Sequence, residues 1–235
     1  MEGFSYLNIF ETKGIEYLVI LAFFAILIPF WIVLNKQVKI TRQIQKILGT
    51  LSANRLNIPQ GLFYSPYHTW AHLERSGAAK VGLDDLLCHL TGEMKFNPLK
   101  QQGELINKGD LMGEIVQNGK LLKVFSPISG EILDINSILT TNPGSLEDPC
   151  GKGWIYKIKP NNWIAETSSY HLAEGATNWS KTELDRFKDF LAVSMQKHSP
   201  QYASIVLQDG GELRDNVLSE LPDEIWTDFQ KDFLN

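Results

Sequence analysis

Gly109-Asp-Leu-Met-Gly113-Glu-Ile-Val-Gln-Asn118-Gly119-Lys120-Leu-Leu-Lys-Val-Phe-Ser126-Pro-Ile-Ser-Gly130 reads as a β-hairpin closed by a two-residue Asn-Gly turn. A type I′ turn needs φ > 0 at both central residues, and Asn and Gly reach that region at the least steric cost. Apolar, partly β-branched flanks run from Gly113 to Val116 and from Leu121 to Phe125, and Ser126-Pro127 ends the second strand. Working outward, Gly103 to Gly109 reads as a loop and Glu93 to Leu99 as the strand before it. Gly130 to Ile135 reads as a following strand, Asn136 to Asn142 as a short helical connection, and Trp154 to Lys159 as a closing strand. Upstream, Ala78 to Leu83 reads as a strand, and Asp84 after it has the side chain of a helix N-cap.

Six patches then fall in order along the chain: Tyr67-His-Thr-Trp70, Ala79-Lys-Val-Gly-Leu-Asp-Asp85, Lys108-Gly-Asp-Leu-Met-Gly113, Ser126-Pro-Ile-Ser-Gly130-Glu, Asn142-Pro143, and Glu147-Asp-Pro-Cys-Gly-Lys-Gly-Trp154 with Lys157-Ile-Lys-Pro160. Between about Phe63 and Trp163 the chain resembles the H protein of the glycine cleavage system. The resemblance implies a mainly β, lipoyl-type barrel-sandwich hybrid of two small antiparallel sheets, with one lipoyl-bearing lysine at the tip of a hairpin. Aligned without gaps from Gly109 to Ser126, this chain places Gly119 where that lysine belongs, and Lys120 follows one residue late. Successive strand residues point to opposite faces, so a slip of one residue re-aims the side chain. The acidic residue that the family carries before its lysine is also displaced, with Val116 in its place and Glu114 two earlier.

The N-terminal region carries a different signal. From Tyr17 to Leu34 there is no charged residue, and Ile15 to Leu34 approaches the roughly 20 apolar residues that cross a bilayer. Tyr17 and Trp31 sit near its ends as interfacial aromatics do. A cleaved signal peptide would have a basic start, whereas Glu2 and Glu11 outnumber Lys13 here. Lys36, Lys39, Arg42 and Lys46 follow the segment, so the positive-inside rule puts the N-terminus outside and the remainder in the cytoplasm, a single pass of the inner membrane. Val38 to Leu51 has the spacing of an amphipathic helix lying along that surface, and Ser52 to Gln60 reads as a linker. Periplasmic adaptors of efflux pumps resemble this plan, but with the opposite topology and a long helical hairpin where this chain has only Asn118-Gly119.

A net charge of −5 argues against a nucleic-acid surface. Cys88 and Cys150 form neither a disulfide framework nor a metal-ligand spacing. His68 and His72 are four apart, which would suit a metal on a helix, but the match at Tyr67 to Trp70 implies extended chain there. Glu147 and Asp148 read as turn formers before Pro149. No nucleophile–base pair or phosphate loop stands out, so the chain does not read as an enzyme.

Beyond Trp163 about 70 residues remain. Ser180-Lys-Thr-Glu183 has the form of a capping box, followed by Leu184, Phe187, Phe190, Leu191 and Met195 on one helix face. Tyr202 to Leu207 reads as a short β run before an Asp209-Gly-Gly turn, and Glu212 to Leu221 and Asp223 to Leu234 read as two helices split at Pro222. These helices either pack on the barrel or offer aromatic anchors to a partner. The expected organisation is therefore a tail over 1–14, a transmembrane helix over 15–34, an amphipathic helix and linker over 35–61, the H-like domain over 62–163 and a helical extension over 164–235.

Two functions follow. In one, the chain is a non-catalytic, membrane-anchored docking subunit of a membrane-associated, electron-transfer-type complex. In the other, it is a carrier lipoylated on Lys120, moving an aminomethyl, acyl or sulfur-bearing group.

Overall fold

The computed structural model describes residues 17–31, 50–141, 146, 148–198 and 213–234. The chain divides into two compact units, Met1–Gly49 and Thr50–Asn235.

In the first unit, residues 17–31 form helix α1, a 15-residue segment whose side chains are exposed on every side. Among the described residues no helix is long and apolar enough to cross a membrane. The remainder of the expected span, residues 15–16 and 32–34, lies outside the described residues, as do the basic positions after it. The amphipathic helix expected from Val38 to Leu51 ends differently: Thr50–Leu51 is strand β1, and the rest of that segment is likewise outside them.

The second unit is built on two antiparallel sheets. Strands β2 (Phe63–Tyr64), β3 (Thr69–Leu73), β4 (Ala79–Leu83), β6 (Leu105–Ile106), β9 (Gly130–Ile135) and β10 (Trp154–Pro160) form one sheet, in the order β2-β3-β4-β10-β9-β6. The second sheet is β5 (Lys95–Pro98), β7 (Leu111–Gln117) and β8 (Lys120–Phe125). Met112, Ile115, Leu122 and Val124 from the small sheet are buried in the same core as Val81, Leu83, Ile132 and Ile158 from the large one. This is period-two alternation with the apolar faces turned together. The Tyr156 hydroxyl crosses between the sheets and donates to the Met112 carbonyl at 2.8 Å. Gly130 lies so close to β10 that a Cβ there would fall on the Lys159 carbonyl, which is why β9 starts on glycine.

Helix α2 (Asp85–Thr91) starts where expected, with the Asp84 carboxylate accepting from the Leu87 amide at 2.8 Å. The short helix α3 (Ile138–Thr141) fills the expected connection before β10. Two local expectations change. Tyr67 and His68 lie in a turn, with His68 at φ 55, and the extended chain begins only at Thr69. The Ser65 and Thr69 hydroxyls, 2.7 Å apart, close that turn. The loop expected from Gly103 to Gly109 also contains β6, a strand of two residues.

After β10 come α4 (Trp163–Thr167) and α5 (Glu174–His198), a helix of 25 residues. Ser180 and Glu183 therefore do not cap a helix start. They lie inside α5 on its buried face, where packing overrides the local capping motif. The segment from Glu212 to Leu221 is not a helix either. Its described part forms β11 (Leu213–Arg214), a turn through Asn216 at φ 62, and a 3-10 turn at Val217–Glu220. Strand β11 pairs with β1, Thr50 opposite Arg214 and Leu51 opposite Leu213. Then α6 (Asp223–Asp228) runs into a π turn at Phe229–Phe233. The expected Tyr202 to Leu207 run and Asp209-Gly-Gly turn lie outside the described residues.

The C-terminal elements pack inward. Phe187 and Phe190 of α5 meet Phe229 and Phe233, with ring centroids 4.9 to 6.0 Å apart. Phe187, Phe229 and Phe233 are buried in the same core as the barrel strands. Burying one such ring stabilises by about 1.5–3 kcal/mol, so the extension is part of the fold rather than an appendage.

Candidate functional site

The hairpin of β7 and β8 turns at Asn118 (φ 49) and Gly119 (φ 86), both in the left-handed region that an Asn-Gly type I′ turn requires. Gln117 stands opposite Lys120, Val116 opposite Leu121, and Glu114 opposite Lys123. A side chain on Gly119 would meet open space, so the tip itself projects clear of the molecule.

Parity decides where Lys120 points. Leu122 and Val124 face the core, and Lys120, two residues before Leu122, shares their face. Leu121 and Lys123 face the other way, and Leu121 is 55% exposed. Lys120 therefore turns inward past the end of the barrel, where the C-terminal extension lies. Its side chain is 15% exposed. The ammonium donates to the Leu221 carbonyl, stands 5.4 Å over the Trp226 ring and is 4.0 Å from the Asp223 carboxylate. Trp226 is fixed in turn by its indole N–H, which donates to the Leu218 carbonyl at 2.7 Å. One strand position on, the Lys123 amide donates to the Gln230 side-chain oxygen at 2.5 Å, so α6 and the π turn cover the outer edge of β8. Between hairpin and cap a groove of about 440 Å³ remains, with Glu114, Leu121, Trp226, Thr227 and Lys231 on its walls. Next to the turn the Gln117 amide donates to the carbonyls of Thr91 and Glu93, which ties the end of β7 to the end of α2.

A second cluster, which sequence reasoning missed, fastens the extension to the barrel. His68 is fully buried, its Nδ1 2.7 Å from Asp84 and its Nε2 3.5 Å from Glu183 of α5. Its ring stacks on Phe233 at 5.1 Å. Arg186 pairs with Glu183 at 2.6 Å, donates to the Phe233 carbonyl at 2.9 Å and covers the Phe233 ring at 3.9 Å. Burial alone would lower the His68 pKa, but the charge and hydrogen bond of Asp84, with Glu183 beyond, hold it up to about 9. Burial would raise Glu183, and His68 and Arg186 together bring it below the usual carboxylate range. Of this cluster only Asp84 is legible in the sequence, as a helix cap; its partner His68 sits in a turn, and Glu183, the second partner of His68, is more than a hundred residues further along.

A third cluster joins the entry segment, α2 and β11. Asp215 accepts from Arg55 and from His89, at 2.9 and 2.8 Å, and His89 is also 3.3 Å from Asp85. Burial pulls His89 down, but Asp215 and Asp85 outweigh it and its pKa stands at about 9.

These shifts fix a pH dependence. Histidines whose folded pKa lies above the ordinary 6.5 add stability in full below pH 6.5 and lose it as pH rises through 9. Burial also pushes the Cys150 thiol up to about 12, and a raised thiol acts with the same sign above pH 9. The expected result is a urea midpoint that falls steadily from pH 6.5 to pH 9, His68 alone contributing about 3 kcal/mol. A midpoint that is flat across that window would contradict the buried charge cluster.

Among the described residues no group of three or more His, Cys, Asp and Glu side chains could hold a metal ion; His72 is turned to the Gly61 carbonyl at 3.1 Å.

Comparison with known proteins supplies the remaining frame. The Glycine cleavage H-protein family matches residues 62–183. A "Probable glycine cleavage system H protein" of Pyrococcus horikoshii is 31% identical over 133 residues, which is 56% of this chain and 98% of that relative. The glycine cleavage system H protein of Psychrobacter arcticus is 36% identical over 123 residues, 52% of this chain and 97% of its own length. A crystal structure of an H protein from Mycobacterium marinum is 26% identical, covers 44% of this chain and 87% of its own, and superposes with a TM-score of 0.41. The match spans whole relatives and just over half of this chain, from the strand at Phe63 through the hairpin into α5. H-proteins are carriers and not enzymes, and this chain belongs to the glycine cleavage H-protein family.

Proposed function

We propose that this chain is a non-catalytic H-protein-like docking subunit in which the hairpin lysine has become part of the fold. The observation that carries the reading is the seat of Lys120. An amide on Nζ would remove the positive charge that the Leu221 carbonyl, the Asp223 carboxylate and the Trp226 ring all face. A lipoyl arm on that nitrogen would also have to pass along the groove walled by Trp226, Thr227 and Lys231 of the C-terminal segment. As arranged, the residues around Lys120 do not fit the group. Gly119, at the tip where the lysine of the family is expected, has no side chain to carry it.

Membrane attachment belongs to the same proposal. Helix α1 is apolar on all faces, and the uncharged stretch continues to Leu34, with Lys36, Lys39, Arg42 and Lys46 beyond it against Lys13 alone before it. A helix that is hydrophobic all round calls for lipid or protein around it. The H-like unit then sits on the cytoplasmic face, beside the complex it serves.

Family membership supports the second reading, a carrier lipoylated on Lys120, and one experiment separates the two. The full chain is extracted from native membranes and its co-purifying proteins and intact mass are recorded, with peptide mapping over Gly113 to Lys123. The docking reading expects detergent-dependent extraction, defined partners and an unmodified Lys120 in cells whose other lipoyl proteins are loaded. One lipoyl group on Lys120 would overturn it in favour of the carrier.

A further inference from the structure

The C-terminal segment is attached in two layers. The deep layer is Leu218, Leu221, Ile225, Trp226, Phe229 and Phe233, all buried in the common core. The shallow layer is the seat of Lys120 together with the bond from the Lys123 amide to Gln230, and the groove of about 440 Å³ lies beside it. The two layers need not open together. Lys120 itself lines that groove, so open space lies beside its seat while the aromatic rings beneath are packed in the core.

We propose that the segment from Leu221 to Gln230 is a built-in cap that suppresses acylation of Lys120. A primary amine attacks an activated acyl group through its nitrogen lone pair. The C–N bond forms, the leaving group departs with the acyl carbon's former electron pair, and the amine gives up a proton to solvent. Docked Lys120 is prevented from doing this in two ways. Its Nζ is held by the bond to the Leu221 carbonyl beside the Asp223 carboxylate, and the face of Trp226 blocks the approach. Lys123, three residues along the same strand, points to the opposite face and is exposed, so the hairpin carries its own internal control. The cap deepens the docking reading by naming what keeps this amine out of carrier chemistry.

The test treats the full folded chain with a brief, limiting pulse of an acetyl N-hydroxysuccinimide ester, an activated acyl group that leaves as N-hydroxysuccinimide. Peptide mapping then gives the labelling ratio of Lys120 to Lys123. The proposal expects Lys120 to react at least tenfold more slowly. Asp223→Lys puts a like charge about 4.0 Å from the ammonium, at a position 84% exposed that the core does not use, and should raise Lys120 labelling several-fold. Trp226→Ala should bring the ratio to within about twofold of unity, with amide hydrogen exchange at Phe229 and Phe233 reporting whether the deep layer holds. Equal labelling in the unaltered chain would overturn the cap. So would a slow Lys120 in both variants. The ratio is read on unmodified chain, so it stands apart from whether native material carries a lipoyl group: a lipoylated native chain with a slow Lys120 would sink the docking reading and leave the cap intact.

Discussion

Replacing His68 with leucine should destabilise the folded chain by about 3–5 kcal/mol, the range for breaking a buried ion pair from one side. Leucine is close to histidine in volume but loses the stack on Phe233, and packing is the lesser part. The larger part is electrostatic. Asp84 would keep its bond to the Leu87 amide yet lose its cation, and Glu183 would be left with Arg186 alone. Two carboxylates in a closed interior would then face each other across an apolar side chain. Urea unfolding should show the loss as a lower midpoint. In the same variant the fall in stability between pH 6.5 and 9 should shrink to the part due to His89. A variant as stable as the parent, with the pH slope unchanged, would mean that His68 is neutral in the fold.

Phe229→Ala is the second large effect, again about 3–5 kcal/mol. The ring is fully buried, stacked on Phe233 at 4.9 Å and edge-on to Phe187 at 5.6 Å. Its removal leaves a cavity where α5, the π turn and the barrel meet, and those three elements have no common backbone that could close it. Thermal unfolding would lose cooperativity if the extension came away before the barrel. A single transition at lower temperature would instead show that extension and barrel melt as one unit. A midpoint that does not move would refute the packing described here.

Legibility in the sequence tracked distance along the chain. The Asn118-Gly119 turn, the Asp84 cap and the breaks at Pro149 and Pro222 are chemistry within a few residues, and they could be read directly. The inward residues of α5 could also be read, because Leu184, Phe187 and Leu191 repeat with the helix period. What failed was local chemistry overruled from afar. Ser180 and Glu183 have the spacing of a cap, yet Glu183 is taken by His68 and Arg186, and the helix begins a turn and a half earlier at Glu174. Asn216 interrupts the helix expected from Glu212 because its amide donates to the His89 carbonyl, on another element. Strand β6 was missed because two residues carry no period. At the candidate site the gap-free alignment predicts Lys120 one residue past the family's lysine, and the parity that gives it the face of Leu122 follows from the hairpin. What lies on that face could not be read, since Leu221 and Trp226 are identified as its neighbours only by the fold.

The separation of 101 residues between Lys120 and Leu221 has a consequence for the growing chain. At roughly 5–20 residues per second, synthesis reaches the lid on the order of ten seconds after the hairpin has been made. From the point where β10 ends at Pro160 the strands of both barrel sheets have been made, while the elements that close over the amine are still to come. An enzyme that acylates this lysine therefore meets its best substrate on the ribosome, and release of the finished polypeptide brings that opportunity to an end.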